Sequence, residues 1–215
     1  MYRTRVGVDL AKKVIQVCIY RNKKVQLNIE MTPDEFLSWL VNQKPLTIIF
    51  EACSMSNYWK QKATEAGHEA LLISAKLVSV VRQNQKTDKN DALAIVQATF
   101  LPDVTFIGGK TIEQQQIQTI KRLRELAVKH QGACQKQLVS LLLELNIRIG
   151  NRQGGILCAI NAVLEDATNG LSDECRRAIY IGKGQLAVSI EAVEHYDKCL
   201  EKVVSINKEC KKLLK

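Results

Sequence analysis

The sequence predicts an α/β domain with a mixed sheet and flanking helices, followed by a region built from helices alone. Three observations carry that expectation. Short apolar runs and period-two alternation dominate the first hundred residues. Helical periodicity replaces them from about Thr111 onward, with almost no strand signal. Between the two lie Leu101-Pro102-Asp103 and Ile107-Gly108-Gly109-Lys110, a turn-prone passage that predicts a boundary between 1–108 and 109–215.

The elements follow in order. Thr4 to Leu10 is an apolar-rich strand carrying Asp9 at its end, and Val14 to Tyr20 is a second strand. Arg21-Asn22-Lys23-Lys24 supplies a hairpin turn into Val25 to Glu30, which alternates cleanly. Thr32-Pro33-Asp34-Glu35 starts a helix, with proline at its first position and acids in its first turn. Leu46 to Phe50 is a continuous apolar run, predicting a strand buried on both faces, and Glu51 follows it. A helix from about Ser56 to Ala66 stops at Gly67, and Ala70 to Ile73 is a fifth strand. A three-strand meander followed by helix, strand, helix and strand is the order of an RNase H-like domain. Thr87 or Asp88 then caps a helix through Ala92-Leu93-Ala94-Ile95-Val96.

In the second half, a helix from Thr111 to about Arg148 carries Ile117, Ile120, Leu123, Ala127, Cys134, Leu138, Leu141 and Leu145 as its stripe. The segment from Gly150 to Gly155 breaks it, and shorter helices are expected between 156 and 181. Val193, Tyr196, Leu200, Val203, Asn207, Cys210 and Leu214 then form a heptad seam. Two partners satisfy such a seam: the 111–148 helix of the same chain, or a second copy in a dimerising coiled coil.

Thirty-one basic residues against 22 acidic ones give a formal charge of +9, spread over both halves of the chain. A spread excess suits an extended polyanion such as nucleic acid. No apolar stretch reaches the length of a membrane span, and Met1-Tyr2-Arg3-Thr4-Arg5 carries no signal-peptide core. Seven cysteines show no metal spacing, which predicts reduced core thiols in a cytoplasmic protein. His68, His130 and His195 are scattered, and no phosphate-binding glycine loop is present. Aromatic residues are only 5% of the chain, so recognition through backbone and shape is favoured over base stacking.

The chemistry-bearing stretch is Gln85-Lys86-Thr87-Asp88-Lys89-Asn90-Asp91-Ala92. Asp88 and Asp91 share a helix face, whereas capping alone calls for a single acid near the helix start. In a parallel pairing of the first and fourth strands, Asp9 and Glu51 emerge at the same edge of the sheet. Four acids brought to one edge repel one another unless cations stand between them. Two Mg²⁺ or Mn²⁺ ions, roughly 3.5–4 Å apart, would offset that repulsion and support phosphodiester chemistry. Lys12, Lys13, Arg82, Lys86 and Lys89 flank the acids as candidate phosphate contacts. Lys121, Arg122 and Arg124 form a further basic cluster, as do Arg176 and Arg177, although each of these also suits an ordinary solvated face.

Gly7-Val8-Asp9-Leu10-Ala11-Lys12-Lys13, Phe50-Glu51-Ala52 and Lys86-Thr87-Asp88-Lys89-Asn90-Asp91-Ala92 together resemble the DEDD insertion-sequence transposases. That family includes the Piv-type invertases and the bridge-RNA-guided recombinases. The resemblance implies a RuvC-like fold in which Asp9, Glu51, Asp88 and Asp91 are catalytic and bind divalent metal. It also implies DNA as substrate, a structured guide RNA and a serine nucleophile on a further domain, while the C-terminal seam predicts a homo-oligomer (dimer or tetramer). No counterpart of that domain is found in these residues, and no serine here matches the role by motif. Two other readings remain open at this point: a RuvC-like structure-specific or Holliday-junction nuclease that uses water, and a nucleic-acid-binding remnant without chemistry.

Overall fold

The computed structural model describes residues 4–82, 85, 87–149 and 155–206, which divide into two compact units, Met1–Thr111 and Ile112–Lys215. In the first unit β1 (Arg5–Leu10), β2 (Ile15–Arg21) and β3 (Lys24–Met31) form an antiparallel meander. Asn22 and Lys23 turn its second hairpin with φ of 52° and 62°, the left-handed pair that suits the twist of a tight hairpin. Helix α1 (Pro33–Asn42) follows, opened by a reciprocal capping box between Thr32 and Glu35. β4 (Thr47–Glu51) then returns parallel to β1. Helix α2 (Ser56–Glu65) ends at Gly67, whose φ of 87° reverses the chain into β5 (Glu69–Ile73), parallel to β4. The sheet order is β3-β2-β1-β4-β5, the mixed arrangement expected of an RNase H-like fold.

β4 is buried on both faces, as its unbroken apolar run predicts. Ile48 and Phe50 join Val6, Val8, Phe36, Leu40 and Trp59 on the α1/α2 side. Ile49 faces the other way and packs with Ile73, Val78, Ala94, Ile95 and Ala98. That second layer comprises α3 (Ala75–Val81) and α4 (Asp88–Ala98). Helix α3 is absent from the sequence reading: it has only seven residues, and Val78, Val80 and Val81 lower its helix propensity. Buried His68 is structural, accepting from the Leu46 N–H through Nδ1 at 3.2 Å and donating through Nε2 to the Leu40 carbonyl at 2.8 Å.

The second unit holds α5 (Ile112–Glu144), α6 (Gly155–Glu165) and α7 (Asp173–Ile206) around Leu138, Leu142, Ile160, Ile179 and Leu186. α5 and α7 run antiparallel: Arg124 pairs with Asp197, while Cys134 donates its thiol to the Gly182 carbonyl at 3.4 Å. A Cβ on Gly182 would lie 2.9 Å from Leu138 Cδ2, so the small residue lets the two helices close together. The expected stripe on α5 needs correction at three positions, the first being Leu123, which is 43% exposed. Leu142 is fully buried, whereas Leu141 and Leu145 are 45% and 52% exposed. Three successive leucines at 141–143 leave the inward one undetermined by composition, and the step of four from Leu138 wins. α7 also begins earlier than expected, at Asp173. Within the seam, Val193, Tyr196, Leu200 and Val203 are half-buried on the helix that pairs with α5 of the same chain. Asn207, Cys210 and Leu214 lie outside the described residues.

Most cysteines were expected to be core thiols; among the six described ones only Cys18 is buried, with its pKa pushed up to about 11 by that burial. Cys53 and Cys158 are exposed. No helix among the described residues is long and apolar enough to cross a membrane.

Candidate active site

The site is built where α4 presses against β1. A Cβ on Gly7 would stand 2.2 Å from the Ala92 carbonyl oxygen and 2.7 Å from Val96 Cγ2. Only glycine allows α4 to press so closely against β1. Two residues along the same strand face comes Asp9, next to the end of β1. The parallel register pairs Val8 with Phe50, so its next step sets Asp9 beside Glu51, the last residue of β4. Glu51 lies two residues after Ile49, which packs on α4, so both strand-end acids belong to the α4 face of the sheet.

Helix α4 begins over this face. Thr87 caps it, its hydroxyl accepting from the Asn90 N–H at 3.3 Å, and both Asp88 and Asp91 fall in the first turn. Asp91 is 7% exposed, whereas Asp88 is exposed to solvent. Arg82, at the end of α3, donates Nη1 to Asp91 Oδ1 at 2.8 Å. The guanidinium is held more firmly charged by that hydrogen bond, by the Asp91 charge, and then by the charges of Glu51 and Asp9. One cation therefore sits within the field of three of the four expected acids.

Among the described residues no three carboxylate, thiol or imidazole groups stand close enough together to hold a metal ion. Asp91 is turned to Arg82 instead. The donor chemistry nevertheless fits a hard divalent cation: oxygen ligands only, on the rigid ends of two parallel strands and one helix start. A further oxygen accompanies them. Gln16, 1% exposed, pairs directly with Asp9 across β1 and β2, and its Oε1 has no hydrogen-bond partner among the described residues. Its Nε2 donates to Asn28 Oδ1 at 2.7 Å, and Asn28 Nδ2 donates to the Lys89 carbonyl at 3.0 Å. Sequence reasoning missed both amides. The available signal was a polar residue at an inward position of an otherwise apolar strand.

The expected basic contacts divide into three groups. Lys12, Lys13 and Lys89 are exposed near the acids, and Lys86 lies outside the described residues. Lys121, Arg122 and Arg177 are exposed on the helical unit. Arg82, Arg124 and Arg176 are engaged within the fold. Arg124 pairs with Asp197, and Arg176 donates to the carbonyls of Val163 and Leu164 in the last turn of α6 and of Asp166 just after it.

Residues 6–147 match the model of a DEDD-type family described as "Transposase". The chain is 28% identical over 209 residues to a transposase for insertion sequence element IS1111A from Coxiella burnetii, covering 97% of this chain and 57% of that protein. It is 30% identical over 155 residues to a probable family 20 transposase from Pseudomonas aeruginosa, covering 72% of this chain and 46% of that protein. A transposase for insertion sequence element IS1328 from Yersinia enterocolitica is 26% identical over 145 residues, 67% of this chain and 43% of its own length. The chain thus spans about half the length of the curated relatives it matches.

Proposed function

Since the chain belongs to the DEDD insertion-sequence transposase family, we propose that residues 1–108 are the RuvC-like catalytic domain of a DNA recombinase that cuts and exchanges strands. The observation that supports this most strongly is that Asp9 and Glu51 lie near the ends of the paired parallel strands β1 and β4, on the face where α4 starts with Asp91 ion-paired to Arg82. Asp9, Glu51, Asp88 and Asp91 would hold Mg²⁺ or Mn²⁺, as a pair of ions. When bound, such ions supply Lewis acidity at the scissile phosphate and stabilise the attacking and leaving oxygens.

The chain's own residues do the rest. Asp9 and Glu51 are fixed by β1 and β4, whose hydrogen-bonded pairing holds their spacing. Asp91 is oriented by Arg82, and Asp88 meets solvent at the helix start, on the side open to DNA. The exposed amines of Lys12, Lys13 and Lys89, together with Lys86, take backbone phosphates and place the strand without reading its sequence. Residues 109–215 bring copies together and carry further nucleic-acid contacts, with a structured RNA guiding the choice of site. A serine on a further domain attacks the strand. An excision assay tests this reading with the protein that carries this chain and the ends of its own element. Wild type should produce excised junctions and Glu51→Gln none; undiminished excision by Glu51→Gln would remove the acids from the chemistry.

A further inference from the structure

The amide chain from Gln16 to the start of α4 has an orientation that can be read from one end to the other. A backbone carbonyl only accepts, so the Lys89 oxygen must receive the Asn28 amide N–H. That fixes Asn28 Oδ1 as the group facing Gln16, and hence Gln16 Nε2 as its donor. Gln16 Oε1 is then left as an acceptor inside the sheet–helix interface, without a partner among the described residues. A buried, unpaired acceptor is costly, and a strand position facing α4 would be cheaper to fill with an apolar side chain. Its cross-strand partner is Asp9, another acceptor. Two neighbouring acceptors are reconciled by a hydrogen-bond donor or a cation.

We infer that Gln16 is a positioning residue of the acidic site: its Oε1 accepts from water held on the divalent cation, while its Nε2, through Asn28, tethers the Asp88-Lys89-Asn90-Asp91 turn. The inference rests on the metal-binding reading above and adds two residues to it. The tether lands on the residue between the two α4 acids, so it sets the height of Asp88 and Asp91 over the sheet. The orphaned oxygen would find its donor only when the site is loaded.

Two roles for the amide give opposite signatures. If Gln16 serves the fold alone, its removal lowers the melting temperature and leaves metal affinity untouched. If it serves the site, Gln16→Met removes an unpaired buried oxygen, and the half-buried Asn28 can turn its freed oxygen to water. The metal-free variant should then melt no lower than wild type while binding Mn²⁺ about tenfold more weakly, followed by the loss of the free-ion electron paramagnetic resonance signal on titration. Gln16→Glu keeps an acceptor there but gives up the donor to Asn28, so it should bind Mn²⁺ more tightly than Gln16→Met. Equal Mn²⁺ affinity in wild type and Gln16→Met overturns the inference alone. A Gln16→Glu variant as weak as Gln16→Met also overturns it. Wild type that takes up no Mn²⁺ removes the metal reading and this inference with it.

Discussion

Arg82 Nη1 lies 2.8 Å from Asp91 Oδ1, and the two side chains are only 25% and 10% exposed. This ion pair joins the end of α3 to the first turn of α4, and its cation also lies in the field of Asp9 and Glu51. Breaking a shielded pair by removing one partner leaves the other charge uncompensated. Arg82→Gln should therefore melt a few degrees below wild type in chelator. It should gain more than wild type from added Mg²⁺, since the acids lose their internal counter-ion. Equal melting of both proteins in chelator would show that Arg82 contributes no compensation.

Gly7→Ala should disrupt the site without touching an acid. The added methyl meets a backbone carbonyl at 2.2 Å, which cannot swing aside as a side chain can. Overpacking of this kind costs about 1–3 kcal/mol, and here it lifts α4, with Asp88 and Asp91, away from β1. Chemical denaturation should show the loss, and a variant as stable as wild type would mean that the sheet and helix yield freely.

Nucleic-acid affinity should fall steeply with salt if phosphate contacts dominate. Replacing Lys86 and Lys89 together with alanine should flatten the log–log salt slope by about two for duplex DNA. An unchanged slope would remove both lysines from the binding surface.

The helical unit carries its own acid-sensitive element. The hydrogen bond from Arg124, with the Arg124 charge acting in the same direction, holds Asp197 below the ordinary carboxylate range. Its folded pKa lies below the unfolded value of about 3.9. The pair therefore stabilises above that value, and the contribution is lost as pH falls through the depressed pKa. Asp197→Asn should flatten the acid limb of the helical unit's stability curve. An acid limb unchanged by that substitution would assign the sensitivity to other carboxylates.

Much of this molecule is legible in its sequence because local rules and tertiary packing agree. Alternation marks β3 even though its Val25 and Leu27 stay exposed, the doubly buried run marks β4, and Thr32-Pro33-Asp34-Glu35 marks the start of α1. The parallel return of β4 beside β1 follows from connectivity, and it brings the strand ends that carry Asp9 and Glu51 to the same edge of the sheet. What escapes the sequence depends on which of several equivalent residues turns inward. Leu142 rather than Leu141 fills the helical core, a choice made by the facing helices. Arg82 reads as one more flanking cation until α3 aims it at Asp91. Gln16 and Asn28 read as ordinary strand polars until the pleat sets one beside Asp9 and the other under Lys89. The heptad spacing of α7 is visible, but the antiparallel pairing with α5 depends on Gly182 and on the Arg124–Asp197 pair.

The central claim is that the four acids hold a divalent cation, and thermal melting with and without Mg²⁺ tests it most directly. A ligand that binds only the folded state, present at ten times its Kd, stabilises by about 1.4 kcal/mol. Wild type should therefore melt several degrees higher in Mg²⁺ than in chelator. Asp9→Asn and Asp88→Asn should stay folded, melt at or above the wild-type value in chelator because a crowded like charge is gone, and show no response to Mg²⁺. A Mg²⁺-dependent rise of the same size in wild type and both variants would contradict the account.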